Sequence, residues 1–326
     1  MNSDEYWFWL LTKEELSSID IRKLLAAYPA PEDIFKAAPE DLITRSGISP
    51  DKANAVADPF LKDDHLLRYD RMCSSGIRLI HLFSPEYPEK LKNIPDSPCG
   101  LFVKGNLPDP DIPALGMVGA RACSGYGSKM AHETARKLSS YGIQTVSGMA
   151  VGIDSVCARS TLDAGGKTFA ILGSGIDVIY PKENIELYYN IIMSGGGIIS
   201  EYPMGSVPYP WRFPHRNRLI SGLSDVLLVI EAGKRSGTLT TAMHALDQGK
   251  DVYALPGRIT DPLSEGCNRM IADGAGVLLD PDDLLEDYFG FRLGGGKYIL
   301  QEGRDIETEP ATKRDLILRA DRKSVV

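Results

Sequence analysis

Five cysteines, Cys73, Cys99, Cys123, Cys157 and Cys267, are scattered through 326 residues without a single Cys-x-x-Cys pair. Their odd number and wide spacing argue against a disulfide framework and a zinc site. The five histidines form no His-Glu-x-x-His or related ligand spacing, so no structural metal and no cofactor is expected. Long apolar runs are missing too. The longest aromatic stretch, Tyr6 to Leu11, is far too short to span a bilayer and no basic segment precedes it, so no membrane partner is expected and the cytoplasm is the expected location. An excess of positive charge is also lacking. The net charge of −8 disfavours a polyanion as a partner of the whole surface. Between Gly205 and Arg258, however, seven basic residues face four acidic ones, leaving room for a locally basic pocket or groove on an acidic body.

What is present is a core, with 43% apolar residues, and a central stretch around which the rest is arranged. Ala114 to Gly148 opens with Leu115, Met117 and Val118, passes through the small-residue loop Gly119 to Gly127, and continues with helical spacing at Met130, Thr134, Lys137, Leu138 and Tyr141. A second apolar run, Ile143 to Val146, follows and ends in Ser147-Gly148. This is strand, tight loop, helix, strand, the first βαβ unit of a parallel sheet. Alternation continues downstream. Helices are expected at Asp154–Ala164, Glu183–Ser194, Asn217–Gly222, Thr238–Gln248, Asn268–Ala272 and Asp282–Tyr288. Strands are expected at Thr168–Leu172, Gly197–Ser200, Val226–Ile230, Val252–Leu255 and Val277–Leu279. Such alternation specifies an α/β protein with a Rossmann-like, doubly wound parallel sheet.

The ends differ in character. From Lys13 to about Ser75, Leu16, Ile19, Leu24 and Leu25 recur at turn spacing, Pro29, Pro31, Pro39 and Pro50 divide the pieces, and no glycine occurs before Gly47. Short, tightly joined helices follow from this pattern. Within them, Asp41 to Ala53 resembles one helix-hairpin-helix unit, more often a packing unit than a phosphate contact when acidic residues flank it. Gly76 to Leu82 and Gly100 to Asn106 read as strands joining the helices to the sheet. After Gly294-Gly295-Gly296 the chain is polar and charged. The expected division is a helical domain over 1–75, a Rossmann-like domain over 76–289 and a polar tail over 290–326.

The loops at the carboxyl ends of the strands carry the chemistry. The first reads Gly116-x-x-Gly119-x-Arg121-x-x-x-Gly125-x-Gly127, not Gly-x-Gly-x-x-Gly, and no acidic residue follows the second strand to take a ribose hydroxyl, so the pattern does not favour a dinucleotide. Gly166-Lys167-Thr168 has no glycine five positions earlier and opens a strand, so it is not a phosphate loop of the nucleotide hydrolases. Arg121, Lys182, Arg216, Arg218, Lys234 and Arg235 converge on one rim with helix starts beside them, which describes a site for tracking phosphates. Trp211 and Phe213 could add base stacking. Taken singly, each of these residues has an ordinary structural role, and Ser236-Gly237-Thr238 could simply cap its helix.

Together the blocks Val118-Gly119-Ala120-Arg121, Ser147 to Asp154, Leu172 to Asp177, Tyr180 to Asn184, Ser200 to Pro203, Phe213 to Arg218, Glu231-Ala232 with Arg235 to Leu239, Ala254 to Gly257, and Gly266 to Asn268 with Ile271 to Ala275 resemble the DNA-processing protein A family, DprA or Smf. The resemblance implies a bacterial protein that binds single-stranded DNA, protects incoming DNA during natural transformation and helps load the RecA recombinase. It further implies an extended Rossmann fold, a small N-terminal domain of sterile-alpha-motif type, self-association as a homodimer, and no catalytic reaction. The DNA-binding residues it implies are Arg121, Lys182, Phe213, Arg216, Asn217, Arg218, Lys234, Arg235, Ser236 and Gly237. Three departures stand out: Val151 where relatives usually carry arginine, Trp211-Arg212 in place of Gly-Asn, and a tail too short and polar for the winged-helix domain of many relatives. The competing reading is an enzyme, a nucleoside-monophosphate phosphoribohydrolase, whose sheet is similar. Here Lys234 to Ala242 holds no carboxylate in the turn where that chemistry needs an acid or base.

Overall fold

The structure is a computed structural model, and it describes residues 2–58 and 65–290. The polar tail expected over 290–326 lies outside the described residues from position 291 onward.

The chain begins with short helices: α1 (Ser3–Leu11), α2 (Ser18–Ala27), α3 (Pro31–Lys36), α4 (Pro39–Ser46), α5 (Pro50–Ala57) and α6 (His65–Ser74). Local chemistry sets their ends. Asn2 with Glu5 and Ser17 with Asp20 form reciprocal capping boxes at α1 and α2. Pro31, Pro39 and Pro50 occupy first helical positions, where a missing N–H leaves no bond unmade. Gly47 closes α4 in the left-handed region, at φ 69°. Trp9, Leu10, Leu24, Ile34, Leu42, Ile48 and Val56 form a core of their own under these helices. Phe8, on the same helix as Trp9, turns instead toward the sheet and meets Phe102 and Met72.

The sheet has nine strands: β1 (Ile77–His81), β2 (Gly100–Gly105), β3 (Ala114–Val118), β4 (Gln144–Ser147), β5 (Thr168–Leu172), β6 (Gly197–Ser200), β7 (Val226–Val229), β8 (Asp251–Ala254) and β9 (Gly276–Val277). Their order is β1-β2-β6-β5-β4-β3-β7-β8-β9. From β6 to β9 all neighbours are parallel. The doubly wound core expected from the alternation is therefore there, extended by an antiparallel edge: β2 pairs antiparallel with both β6 and β1. A strand reached without a crossover helix is free to pair antiparallel. Only α7 (Glu89–Lys92) stands between β1 and β2.

The intervening helices are α8 (Gly125–Ser140), α9 (Ile153–Asp163), α10 (Ile185–Met193), α11 (Arg212–Leu223), α12 (Thr238–Asp247) and α13 (Glu265–Ala272). Period-two alternation divides the core between the faces. Ala170, Leu172 and Ile198 pack under α9 and α10 with Ala158, Leu187 and Ile191. Phe169, Ile171 and Ile199 face α11 and α12 through Leu219, Leu223, Ala242 and Ala245. The sheet and its helices, with the N-terminal segment, form a compact unit ending at Leu279; the described part of the second unit consists of α14 (Pro281–Leu284) and the helical turn after it. Among the described residues no helix is long and apolar enough to cross a membrane.

One boundary shifts by five residues, and it matters for the site. The sequence pattern starts a helix at Asn217, whereas α11 starts at Arg212. Pro214 does not prevent this, because the first-turn amides of a helix have no partner to lose. Phe213 and Arg216 are therefore helical residues rather than loop residues, and their directions are fixed by the helix.

Candidate nucleic-acid interface

Two loops interlock at the carboxyl ends of the central strands. After β3 the chain runs Gly119-Ala120-Arg121, and after β4 it turns through Met149 and Gly152, both at positive φ. The amide of Ile153 donates to the carbonyl of Ala120 at 3.2 Å. A Cβ at Gly152 would stand 2.3 Å from the carbonyl oxygens of Ala120 and Arg121, so only glycine fits there, on steric as well as conformational grounds. This pairing holds Arg121 outward. Its side chain is exposed, with the guanidinium carbon 5.5 Å from the centre of the Phe213 ring. Phe213 is half-buried; it packs on Gly173, just beyond β5, and lies 5.6 Å from the ring of Tyr180.

Behind this pair lies a buried cation. Arg216, only 5% exposed, donates through one Nη to the carbonyl of Gly148 at 3.0 Å and to that of Ile171, spanning the ends of β4 and β5. Gly148 has no Cβ because one would sit 2.7 Å from both Arg216 and Asp154. Burial pushes the Arg216 guanidinium down to about 10, against the opposing pull of Asp154. It remains charged at neutral pH. Burial likewise raises the Asp154 carboxyl above the ordinary carboxylate range, opposed first by Arg216. The two groups thus lie close together, both desolvated, beneath the rim.

Lys182 is exposed and begins a single 3-10 turn (Lys182–Asn184) ahead of α10. Asn184 pins that turn, donating to the carbonyl of Met149 at 2.9 Å and to Ser155 Oγ at 3.0 Å. Asn217 accepts from Arg216 Nε at 3.2 Å and reaches the carbonyl of Gly237 at 3.5 Å, which ties α11 to the start of α12. Ser236 Oγ accepts the amide of Thr238, and Thr238 Oγ1 donates to the carbonyl of Gly119 at 3.3 Å. The N-cap of α12 is Gly237, which makes no side-chain cap, so Ser236 braces the turn from one residue ahead of it, while Arg235 and Gly237 remain exposed.

Two of the expected rim cations are engaged elsewhere. Arg218 is 3% exposed and binds both carboxylate oxygens of Glu201, at 2.8 and 2.7 Å, with its Nε on the carbonyl of Asp96. Ser18 of the helical segment also donates to Glu201, at 3.1 Å, so this bidentate pair serves to fasten α11 to its surroundings. Lys234, 77% exposed at its side chain, pairs with Glu265 at 3.4 Å. Together they help line a groove of about 1030 Å³ between α12 and α13, with Met243, Leu246 and Met270. The outward-facing cations near the ring of Phe213 and the turn after β4 are thus Arg121 and Lys182, with Arg216 buried behind them. Sequence reasoning missed the acidic partners: Asp154, Glu201 and Glu231 each meet their cation or amide from a distant part of the chain.

Comparison with known proteins matches the sequence and the fold to a family. The family model described as DNA recombination-mediator protein A fits residues 78–289. The chain is 42% identical to the DNA processing protein DprA of Streptococcus pneumoniae over 202 residues, 62% of this chain and 71% of that protein. It is 41% identical to Protein Smf of Escherichia coli over 209 residues, 64% of this chain and 56% of that relative, so it spans little more than half of the latter's length. Among solved structures, DprA from Streptococcus pneumoniae superposes with a TM-score of 0.72 at 33% identity, covering 88% of this chain and 99% of that one. DNA processing protein A from Helicobacter pylori, solved for its single-stranded DNA binding mode, superposes with a TM-score of 0.60 at 26% identity, covering 66% and 96%. By its sequence over the whole sheet and by its fold, the chain belongs to the DNA recombination-mediator protein A family, DprA or Smf.

Proposed function

We propose that this chain binds single-stranded DNA along the rim formed by Arg121, Lys182 and Phe213 over the buried Arg216, acting as a binding protein rather than an enzyme. The observation that carries this reading is the exposed Arg121 guanidinium above the Phe213 ring, a cation and a stacking surface side by side. Such a pair suits a strand whose phosphates and bases are both accessible, and gives little sequence preference. The single-strand binding mode described for the Helicobacter pylori relative supports the same ligand class. Extended to its biological setting, the reading is of a homodimer in the cytoplasm that protects incoming strands during natural transformation and helps load RecA.

The test is fluorescence anisotropy with single-stranded and duplex oligonucleotides at two salt concentrations, on the wild type and Arg121→Ala. Salt-sensitive binding that prefers single strands and falls in the variant is the expected result; a wild type that binds neither would refute the function. Release of free base from nucleoside monophosphates would instead establish the phosphoribohydrolase reading. The dimer is read by sedimentation, and RecA loading by filament assembly on the bound strand.

A further inference from the structure

The sheet order reverses between β3 and β7, and open α/β sheets admit their ligands into the crevice at the carboxyl ends of such strands. In this protein the crevice is bridged from within. Glu231, two residues beyond β7 and 2% exposed, accepts the amide of Ser124 at 2.9 Å and the Ser124 hydroxyl. Ser124 caps α8, a helix of 16 residues, and its Oγ also accepts the amide of Gly127 at 3.0 Å. A Cβ placed on Gly127 would stand 2.4 Å from the Glu231 carboxyl carbon. The first turn of α8 therefore lies directly against the carboxylate.

These are the features by which a sheet of this kind cradles a pyrophosphate: a helix start with free amides at the first crossover, and a glycine that lets the backbone close in. Here the anion in the cradle is the protein's own. Its charge reaches the neighbouring groups. The Cys123 thiol and the Tyr126 hydroxyl are both pushed up, by burial first and by Glu231 second. The opposite wall is held as well, through the bond from Thr238 Oγ1 to the carbonyl of Gly119.

We propose that Glu231 is a built-in occupant of the phosphate position at the start of α8, a specificity-determining residue that closes the crevice to mononucleotides and dinucleotides. A phosphate entering there meets like charge at hydrogen-bond distance and finds the Ser124 amide already taken. This inference goes beyond strand binding and does not depend on it.

The experiment uses the full chain and inorganic pyrophosphate as the probe, with no DNA present. Pyrophosphate is titrated against wild type, Glu231→Gln and Glu231→Ala by calorimetry, while the Ser124 and Gly127 amide resonances are followed by NMR. In the wild type those two amides should not move. In Glu231→Ala they should, with an affinity at least about tenfold above that of the wild type, a gain of about 1.4 kcal/mol. The inference is overturned if pyrophosphate shifts the two amides in the wild type, or if the folded alanine variant gains no affinity. Should neither variant fold, the wild-type amides decide the matter alone. Oligonucleotide anisotropy on the same samples separates a failure here from a failure of the strand-binding function.

Discussion

Replacing Arg216 by methionine separates two roles that the linear sequence merges. The guanidinium is almost fully buried, holds the carbonyls of Gly148 and Ile171, and is the main charge opposing the burial of Asp154. Methionine fills much of the volume but leaves two carbonyls without their donor and Asp154 without its counter-charge. Breaking a buried pair by removing one partner costs about 3–5 kcal/mol. For a domain of this size each kcal/mol lowers the melting temperature by about 2–4 °C, giving a drop of roughly 6–20 °C. Thermal and urea unfolding of wild type, Arg216→Met and the double variant Arg216→Met/Asp154→Asn, all at pH 7, are the assays. The double variant should recover a substantial part of the loss, because the orphaned carboxyl is gone. A single variant that loses strand affinity while keeping the wild-type urea midpoint would refute this reasoning. It would mean that the guanidinium is free to leave its carbonyls and meet a phosphate directly.

Other expectations follow from the same geometry. Arg121→Ala should change stability by no more than about 0.5 kcal/mol yet weaken single-strand binding, with the log–log salt dependence shallower by about 0.7; anisotropy at several salt concentrations, together with urea unfolding, checks both halves. Arg218→Met should lower the urea midpoint strongly, through the loss of both bonds to Glu201, while leaving the salt slope of the remaining folded protein unchanged. The Asp96 carboxyl is held below its ordinary value, chiefly by its hydrogen bond to His215, with burial opposing and Arg218 assisting. A depressed folded-state value means that Asp96 contributes stability above the ordinary value of 3.8, lost as pH falls through the folded value. Asp96→Asn should therefore be less stable than wild type at pH 7, and the gap should narrow as pH falls below about 4; urea midpoints across that range test it. Gly127→Ala should cost about 1–3 kcal/mol by overpacking against Glu231, measured in the same way.

Much of the fold was legible in one dimension. The switch from period-two to helical spacing placed β3, α8 and β4 within a few residues, because each element is encoded by neighbours in the chain. The buried strand Val226 to Val229 is local in the same sense. The antiparallel edge was not legible, since nothing in Ile77–His81 or Gly100–Gly105 states which strand lies beside it. Nor was the early start of α11, because Pro214 reads as a breaker until it is seen to occupy the first turn.

The site divides along the same line. Residue type and order determined by themselves that Arg121, Lys182, Phe213 and Arg216 share the carboxyl ends of neighbouring strands, since a parallel sheet delivers all its loops to one edge. Only the tertiary structure decided the fate of each charge. Arg216 finds Gly148 across 68 positions, Glu231 finds Ser124 across 107, and Arg218 finds the carbonyl of Asp96 across 122. Whether a cation faces solvent or is spent on a buried partner depends on what the fold brings within about 3 Å of it, and no local pattern in the chain records that distance.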